Sequence, residues 1–225
     1  MPRRRLLLTL VAVCAALAGF AVSAADMRIE TRVYAAADEK EPVSESVTFF
    51  HDGVVYDFRA AESRVTIFRG AVGDKPARFL LLDTRLKQRT EVPVNRITAA
   101  MTKLRRWCAM QEDPFLRFTG DPSFEEYFDP DSGELRMTSD QLTYRLVTTP
   151  LKEEEIKLEL RTFLDGFAQL HTLLESGLPP EPRLRVNEAL FRHGVVPVQV
   201  EVTAGDDDKP SLRAEHVVDT VLSKS

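Results

Sequence analysis

Asp52 and Gly53 separate two runs of alternating apolar residues, Val43 to His51 and Val54 to Arg59. An Asp-Gly pair favours a type I′ turn, whose backbone twist matches that of two antiparallel strands, so the pair predicts a hairpin and sets its register. With His51 opposite Val54, Phe49 faces Tyr56 and Val47 faces Phe58, and these four side chains share one face while Thr48 and Asp57 share the other. A slip of one residue would exchange the two faces, so turn and pattern must agree, and here they do.

The same reasoning extends the sheet in both directions. Met27 to Ala35 alternates with period two, and Arg64 to Phe68, Arg78 to Asp83 and Gln88 to Val94 are short apolar runs bounded by Gly, Pro or charge. Phe79 to Leu82 is apolar on both sides, which predicts an interior strand covered on its second face. From Asn95, read as an N-cap, the spacing of Ile97, Met101, Leu104 and Cys108 changes to that of a helix, which Asp113-Pro114 ends. Phe124 to Phe128, Leu135 to Met137 and Leu142 to Thr148 return to strand, with a turn at Asp129 to Gly133.

The longest helix follows Pro150. Glu153, Glu154 and Glu155 favour its N-terminus, Ile156, Leu160, Phe163, Phe167, Leu170 and Leu174 form its apolar stripe, and Gly177 with Pro179-Pro180 ends it. A shorter helix runs from Pro182 to His193 with Gly194 as its cap. Val196, Val198, Val200 and Val202 then alternate along a strand, Asp206, Asp207 and Asp208 make a turn, and Leu212 to Leu222 pairs back. The expected fold is α+β: a strongly curved antiparallel sheet, a half-open β-barrel, packed on two or three helices.

Arg3, Arg4 and Arg5, the apolar run from Leu6 to Phe20 and the small residues Val22-Ser23-Ala24 have the pattern of a secretory leader over residues 1–25. Residues 26–225 then form one domain, exported to the periplasm or secreted, that touches membrane only through its N-terminal segment. Leu6 to Ala25 carries no charge and is also long enough to stay as an uncleaved anchor. Val13 stands before Cys14 where lipidation calls for a small residue. Removing three arginines takes the net charge from −5 to −8, which argues against nucleic acid, and leaves Cys108 without a disulfide partner.

Catalytic spacing is missing. The chain has no Gly-x-Ser-x-Gly elbow and no His-x-x-x-His or Cys-x-x-Cys pair, and Asp129-Pro-Asp131-Ser-Gly133-Glu134 departs from a calcium loop after three positions. Cys108 falls on a buried helix stripe, His51 and Asp52 point to opposite faces, and His171 and His193 sit near helix ends. His216 shares a strand face with Ala214 and Val218 and is expected to point inward, mainly in a structural role. No catalytic residue, metal ligand or cofactor is assigned, and a hydrolase using carboxylates or His216 is the least favoured class.

Apolar surface is what remains. Val47, Phe49, Tyr56, Phe58, Ile67 and Leu81 are expected to form one apolar strand face, with Trp107, Phe163 and Phe167 on the helices that cover it. Incomplete closure would leave a cleft for a lipid or acyl chain, and complete closure an ordinary core. Non-catalytic binding or carriage of a hydrophobic ligand is therefore the expected function. The alternative is a structural or protein-interaction module of the cell envelope with an envelope protein as partner.

The order of strands, helix, strands, two helices and closing strands after an export leader resembles that of the bacterial periplasmic carriers that sort lipoproteins to the outer membrane. Val55-Tyr-Asp-Phe58, Val65-Thr-Ile-Phe68, Arg78-Phe-Leu-Leu-Leu-Asp83 and Arg89-Thr-Glu-Val92 look like their hairpin series. The resemblance implies a half-open barrel with helices in its mouth and an acyl chain within. Leu178 to Leu190, with Gly194-Val-Val-Pro197, is more similar to a group of uncharacterised secreted bacterial proteins. No functional residue carries over position by position.

Overall fold

The computed structural model describes residues 27–175, 179–205, 207 and 209–220. The leader with Cys14, the helix-ending Gly177, Asp206 and Asp208, and the strand end at Leu222 lie outside the described residues. Strands β1 (Met27–Tyr34), β2 (Ser44–His51), β3 (Val54–Arg59), β4 (Arg64–Arg69), β5 (Arg78–Asp83) and β6 (Gln88–Pro93) follow one another as hairpins. Helices α1 (Val94–Ala109) and α2 (Pro114–Gly120) lead to β7 (Glu125–Asp129), β8 (Glu134–Thr138) and β9 (Leu142–Pro150). Helices α3 (Glu154–Glu175) and α4 (Glu181–His193) precede β10 (Val195–Ala204) and β11 (Leu212–Asp219).

All pairings are antiparallel, in one eleven-stranded sheet of order β6-β5-β4-β3-β2-β1-β11-β10-β9-β8-β7. Two meanders thus meet where β1 pairs with β11, Ile29 opposite Val218. The Asp52-Gly53 turn has positive φ at both residues, 50° and 70°, as a type I′ turn requires. It pairs Val47 with Phe58 and Phe49 with Tyr56, and Thr48 Oγ1 donates to Asp57 Oδ1 at 2.8 Å on the other face.

The expected curved half barrel is corrected: the sheet is open, neither closed nor strongly curled. Closure would require β6 to pair with β7, but these strands end the sheet and are joined through α1 and α2. The helices bury one sheet face instead, and Arg89, Glu91 and Pro93 blunt the β6 edge against further pairing. β5 lies between β4 and β6 as expected, and it is buried on both sides: Phe79 lies under the helices and Leu80, on the opposite face, is only 5 % exposed.

Among the described residues four α-helices form rather than two or three. The extra one, α2, begins at the dipeptide read as the end of α1: Asp113 accepts from Leu116 N at 2.9 Å as an N-cap, and Pro114 takes the first helical position. Asn95 is not the cap of α1, which starts one residue earlier, after Pro93. The regular alternation expected along β10 breaks between Pro197 and Gln199, where the register shifts by a bulge at Val198. Proline has no N–H to give the ladder, so the extra residue sits beside it.

Both apolar cores lie on the helix-covered face. One joins Met27, Phe50, Val55, Phe68 and Phe79 to Ile97 of α1 and Ile156, Leu160 and Phe163 of α3. The other joins Leu135, Leu146 and Val200 to Val186, Ala189 and Leu190 of α4. At the β7–β8 turn, Gly133 has φ +72°, and a Cβ there would come within 2.5 Å of Thr148 O. Its carbonyl accepts from Thr148 N and Oγ1 at 2.9 and 2.8 Å, which ties the hairpin to β9.

Candidate functional site

The stripe on α3 packs well at first and then runs out of sheet. Ile156, Leu160 and Phe163 are buried, and the Phe163 ring meets Phe50 edge-on with centroids 5.6 Å apart and Phe68 at 6.2 Å. Gly166 allows the close approach, since a Cβ there would lie 3.0 Å from Phe79 Cζ. One turn further the contact loosens: Leu170 is buried, Phe167 is half-buried, and Leu174 is 55 % exposed although it continues the same stripe.

Between this end of α3 and the sheet lies a cavity of about 330 Å³. Thr66, Leu81 and Thr90 face it from neighbouring strands, and Phe167, Leu170 and Leu174 from the helix. The volume is at the lower end of small-molecule clefts, which run from about 300 to 1,000 Å³. The roof is apolar and the floor mixes Leu81 with two threonines, while Arg59, Arg64, Asp83, Gln88, His171 and Glu175 make a polar rim.

Arg59 organises that rim. Its guanidinium lies 5.6 Å from the Phe167 ring centroid, bonds Glu175 Oε1 at 3.3 Å, and approaches Glu62 Oε1 and Asp57 Oδ2 at 3.7 Å each. His171 Nε2 meets the other oxygen of Glu175 at 2.8 Å. Burial pushes the Asp57 carboxyl above its usual range, against the lowering effects of the Thr48 hydrogen bond and the Arg59 charge. Oδ2 of Asp57 has no hydrogen bond among the described residues. The site therefore combines an oily groove with a cation at its mouth.

The structure divides the nine residues predicted to line a ligand site. Val47, Phe49, Tyr56, Phe58 and Ile67 do share one face, as the registers β2–β3 and β3–β4 require. It is the open face, not the helix-covered one: Phe58 is 38 % exposed, Phe49 and Phe58 touch edge-on at 5.9 Å, and Arg28 lies over Phe49 at 5.8 Å. Leu81 does not join them. It pairs with Thr66, a neighbour of Asp57, and faces the groove.

Phe163 and Phe167 cover the opposite row, Phe50, Val55, Phe68 and Phe79, and Trp107 covers neither, being 47 % exposed on α1. The parity was ambiguous because β2 to β5 carry large apolar groups on both faces, so alternation could not say which face a helix would choose. Of the nine, the groove brings together only Leu81 and Phe167. Leu170 and Leu174 were missed as lining residues although the stripe already named them, and Arg59 had no sequence signal beyond its place at a strand end.

His216 points inward as expected, with Nδ1 2.9 Å from Thr31 Oγ1. Burial first, and the charge of Arg183 second, lower its pKa to about 4, so the ring is neutral at neutral pH. No carboxylate bonds it among the described residues, and the acid-histidine convergence expected of a hydrolase is not built there. Cys108 is fully buried and its thiol is pushed up by desolvation. Asp129 closes a hairpin turn, accepting from Ser132 Oγ at 2.7 Å and Asp131 N at 3.0 Å, and these bonds hold its carboxyl below the usual range.

No group of three or more possible metal ligands occurs among the described residues, and no helix there is long and apolar enough to cross a membrane. No protein-family model matches this chain, and no curated protein matches it.

Proposed function

We propose that this protein binds and carries a hydrophobic ligand, an acyl chain or lipid, in the groove between α3 and strands β3 to β6. One observation carries the reading: the α3 stripe continues over the groove after the sheet has ceased to fill it, leaving Phe167 half-buried and Leu174 55 % exposed. Leaving a leucine-sized side chain in water forgoes roughly 1.5–3 kcal/mol, which an acyl chain laid along the groove would recover. The leader-like pattern of residues 1–25 and the resemblance to lipoprotein-sorting carriers support carriage in the periplasm or another exported space. The groove, rather than a barrel interior, is the binding element.

Extraction of the protein from its native compartment followed by mass spectrometry is expected to yield lipid in stoichiometric amount. Leu174→Glu is expected to weaken binding of a fluorescent acyl probe by at least about tenfold, since a carboxylate in the groove loses solvation when the chain enters. Because Leu174 is largely exposed, stability should stay within about 0.5 kcal/mol of the parent, as judged by urea denaturation. An empty protein that binds no acyl probe ends this reading. Crosslinking through Phe49 or Phe58 to one envelope protein would then favour the interaction module, whose natural surface is the open apolar face.

A further inference from the structure

A second space lies deeper in the molecule. β1, β2, β10 and β11 on one side and α3 and α4 on the other enclose a cavity of about 50 Å³. Apolar side chains such as Phe50, Leu164 and Val196 wall it, and its polar lining is Thr31, Thr48, Arg183 and His216. One water needs roughly 10–15 Å³ of such space, so the cavity suits a group of three or four heavy atoms and no acyl chain.

Arg183 reaches this space from the first turn of α4, and burial lowers its pKa. Among the described residues it has no hydrogen bond and no carboxylate within ion-pair distance. The carboxylate whose charge does act on it, Asp165, is engaged elsewhere: Asn187 Nδ2 donates to Oδ1 at 2.8 Å, and Arg161 Nε stands 3.6 Å from Oδ2. Arg183 is partly buried, and a guanidinium keeps its proton under desolvation, so a cation without an ion-pair partner borders the cavity.

His216 lies beside it with Nε2 buried and without a hydrogen-bond partner, and Nε2 carries the hydrogen of the neutral ring when the Thr31 hydroxyl donates to Nδ1. Thr48 is already committed to Asp57. The cavity thus offers positive charge with two threonine hydroxyls beside it and has no carboxylate in its lining to match that charge.

We propose that Arg183 and His216, with the ring held by Thr31, form an interior receptor for a carboxylate group. A guanidinium fork matches the two oxygens of a carboxylate, and the cavity volume matches its size. Two sources would present this chemistry: a free small acid, or the head group of an acyl ligand whose chain extends toward the groove. The second rests on the carriage reading. Phe163 lines the cavity and Phe167 the groove, and with their ring centroids 5.1 Å apart a chain joining the two spaces has to part these rings.

The test titrates the protein with acetate, decanoate and decanol while the His216 ring resonance is followed by NMR. A carboxylate is expected to shift the resonance saturably and decanol to leave it unmoved. Arg183→Met should weaken that response by at least about tenfold, the usual scale for losing a charge-assisted bond. A response to acetate assigns a free acid, and a response to decanoate alone assigns a head group. No response to either acid, or an equal response in Arg183→Met, overturns the receptor. If Arg183→Met does not fold, Arg183→Lys keeps the charge without the fork, and affinity unchanged by that substitution overturns it as well. Decanol that displaces an acyl probe from the groove without moving His216, alongside silent acids, refutes the receptor and leaves carriage standing.

Discussion

Replacing Phe163 by alanine is expected to lower the free energy of unfolding by about 3–5 kcal/mol, the range for removing a buried aromatic side chain. Phe163 is 3 % exposed and stands where α3 meets the sheet, with Phe50 at 5.6 Å, Phe68 at 6.2 Å and Phe167 at 5.1 Å between ring centroids. Removing it leaves three aromatic neighbours facing a void, and the backbone cannot close that void without shifting α3, whose Gly166 lies against Phe79. Domains of this kind have only about 5–15 kcal/mol of stability, so the variant loses a large share of it. Urea denaturation followed by circular dichroism measures the effect. Trp107→Ala provides the contrast: its side chain is 47 % exposed and away from this cluster, and it should cost under about 1 kcal/mol. Equal losses for the two would contradict the face assignment.

Acidification from pH 7 to pH 4 is expected to destabilise the wild-type protein by about 3 kcal/mol more than His216→Gln. The folded ring has its pKa lowered to about 4, against 6.5 for an unburied histidine. Between those values the unfolded chain holds a proton that the folded chain refuses, so stability falls as pH falls through the window and rises as pH is restored. Arg183 from α4 faces the ring and opposes its charging, Thr31 from β1 bonds it, and Tyr144 on β9 also feels the Arg183 charge.

The buried carboxyls act in the opposite sense. Asp57, Glu159, Asp165 and Glu181 are all raised, chiefly by desolvation, so each contributes stability that is lost as pH rises from its ordinary value through its raised one. Subtracting the His216→Gln curve from the wild-type curve cancels them, because both proteins carry all four. A difference that stays flat from pH 7 to pH 4 would mean that the ring takes its proton in the folded state without hindrance.

Local signals carried much of this fold. The Asp52-Gly53 turn and its flanking alternation specify a register, and that register holds residue by residue from Val47 to Phe58. Pairings of this kind depend on turn geometry and on neighbours a few residues away, which is information any short segment contains. The long helix was legible for the same reason, as were the inward orientation of His216 and the core position of Cys108.

Longer-range choices were not. A seven-residue helix has too few turns to show a period, and α2 was hidden behind a dipeptide read as the end of α1, which stops earlier at Ala109, while Asp113 caps α2. Arg183 reads from sequence as one more charge on a short helix, and only the packing of α4 over β9 and β11 takes it inside. The groove was half legible: Leu81 and Phe167 were named, but the other predicted lining residues went to the open face or to the core.

The chain by itself determined the strands, the register of the β2–β3 hairpin and three of the helices, because each follows from turn chemistry and periodicity within a few dozen residues. Tertiary structure alone decided which apolar face the helices cover, that the sheet stays open, and where α3 outruns its support. Two faces of similar hydrophobicity are equivalent to a strand considered alone, and they become different only when a helix such as α3, with Gly166 against Phe79, packs more closely on one than on the other.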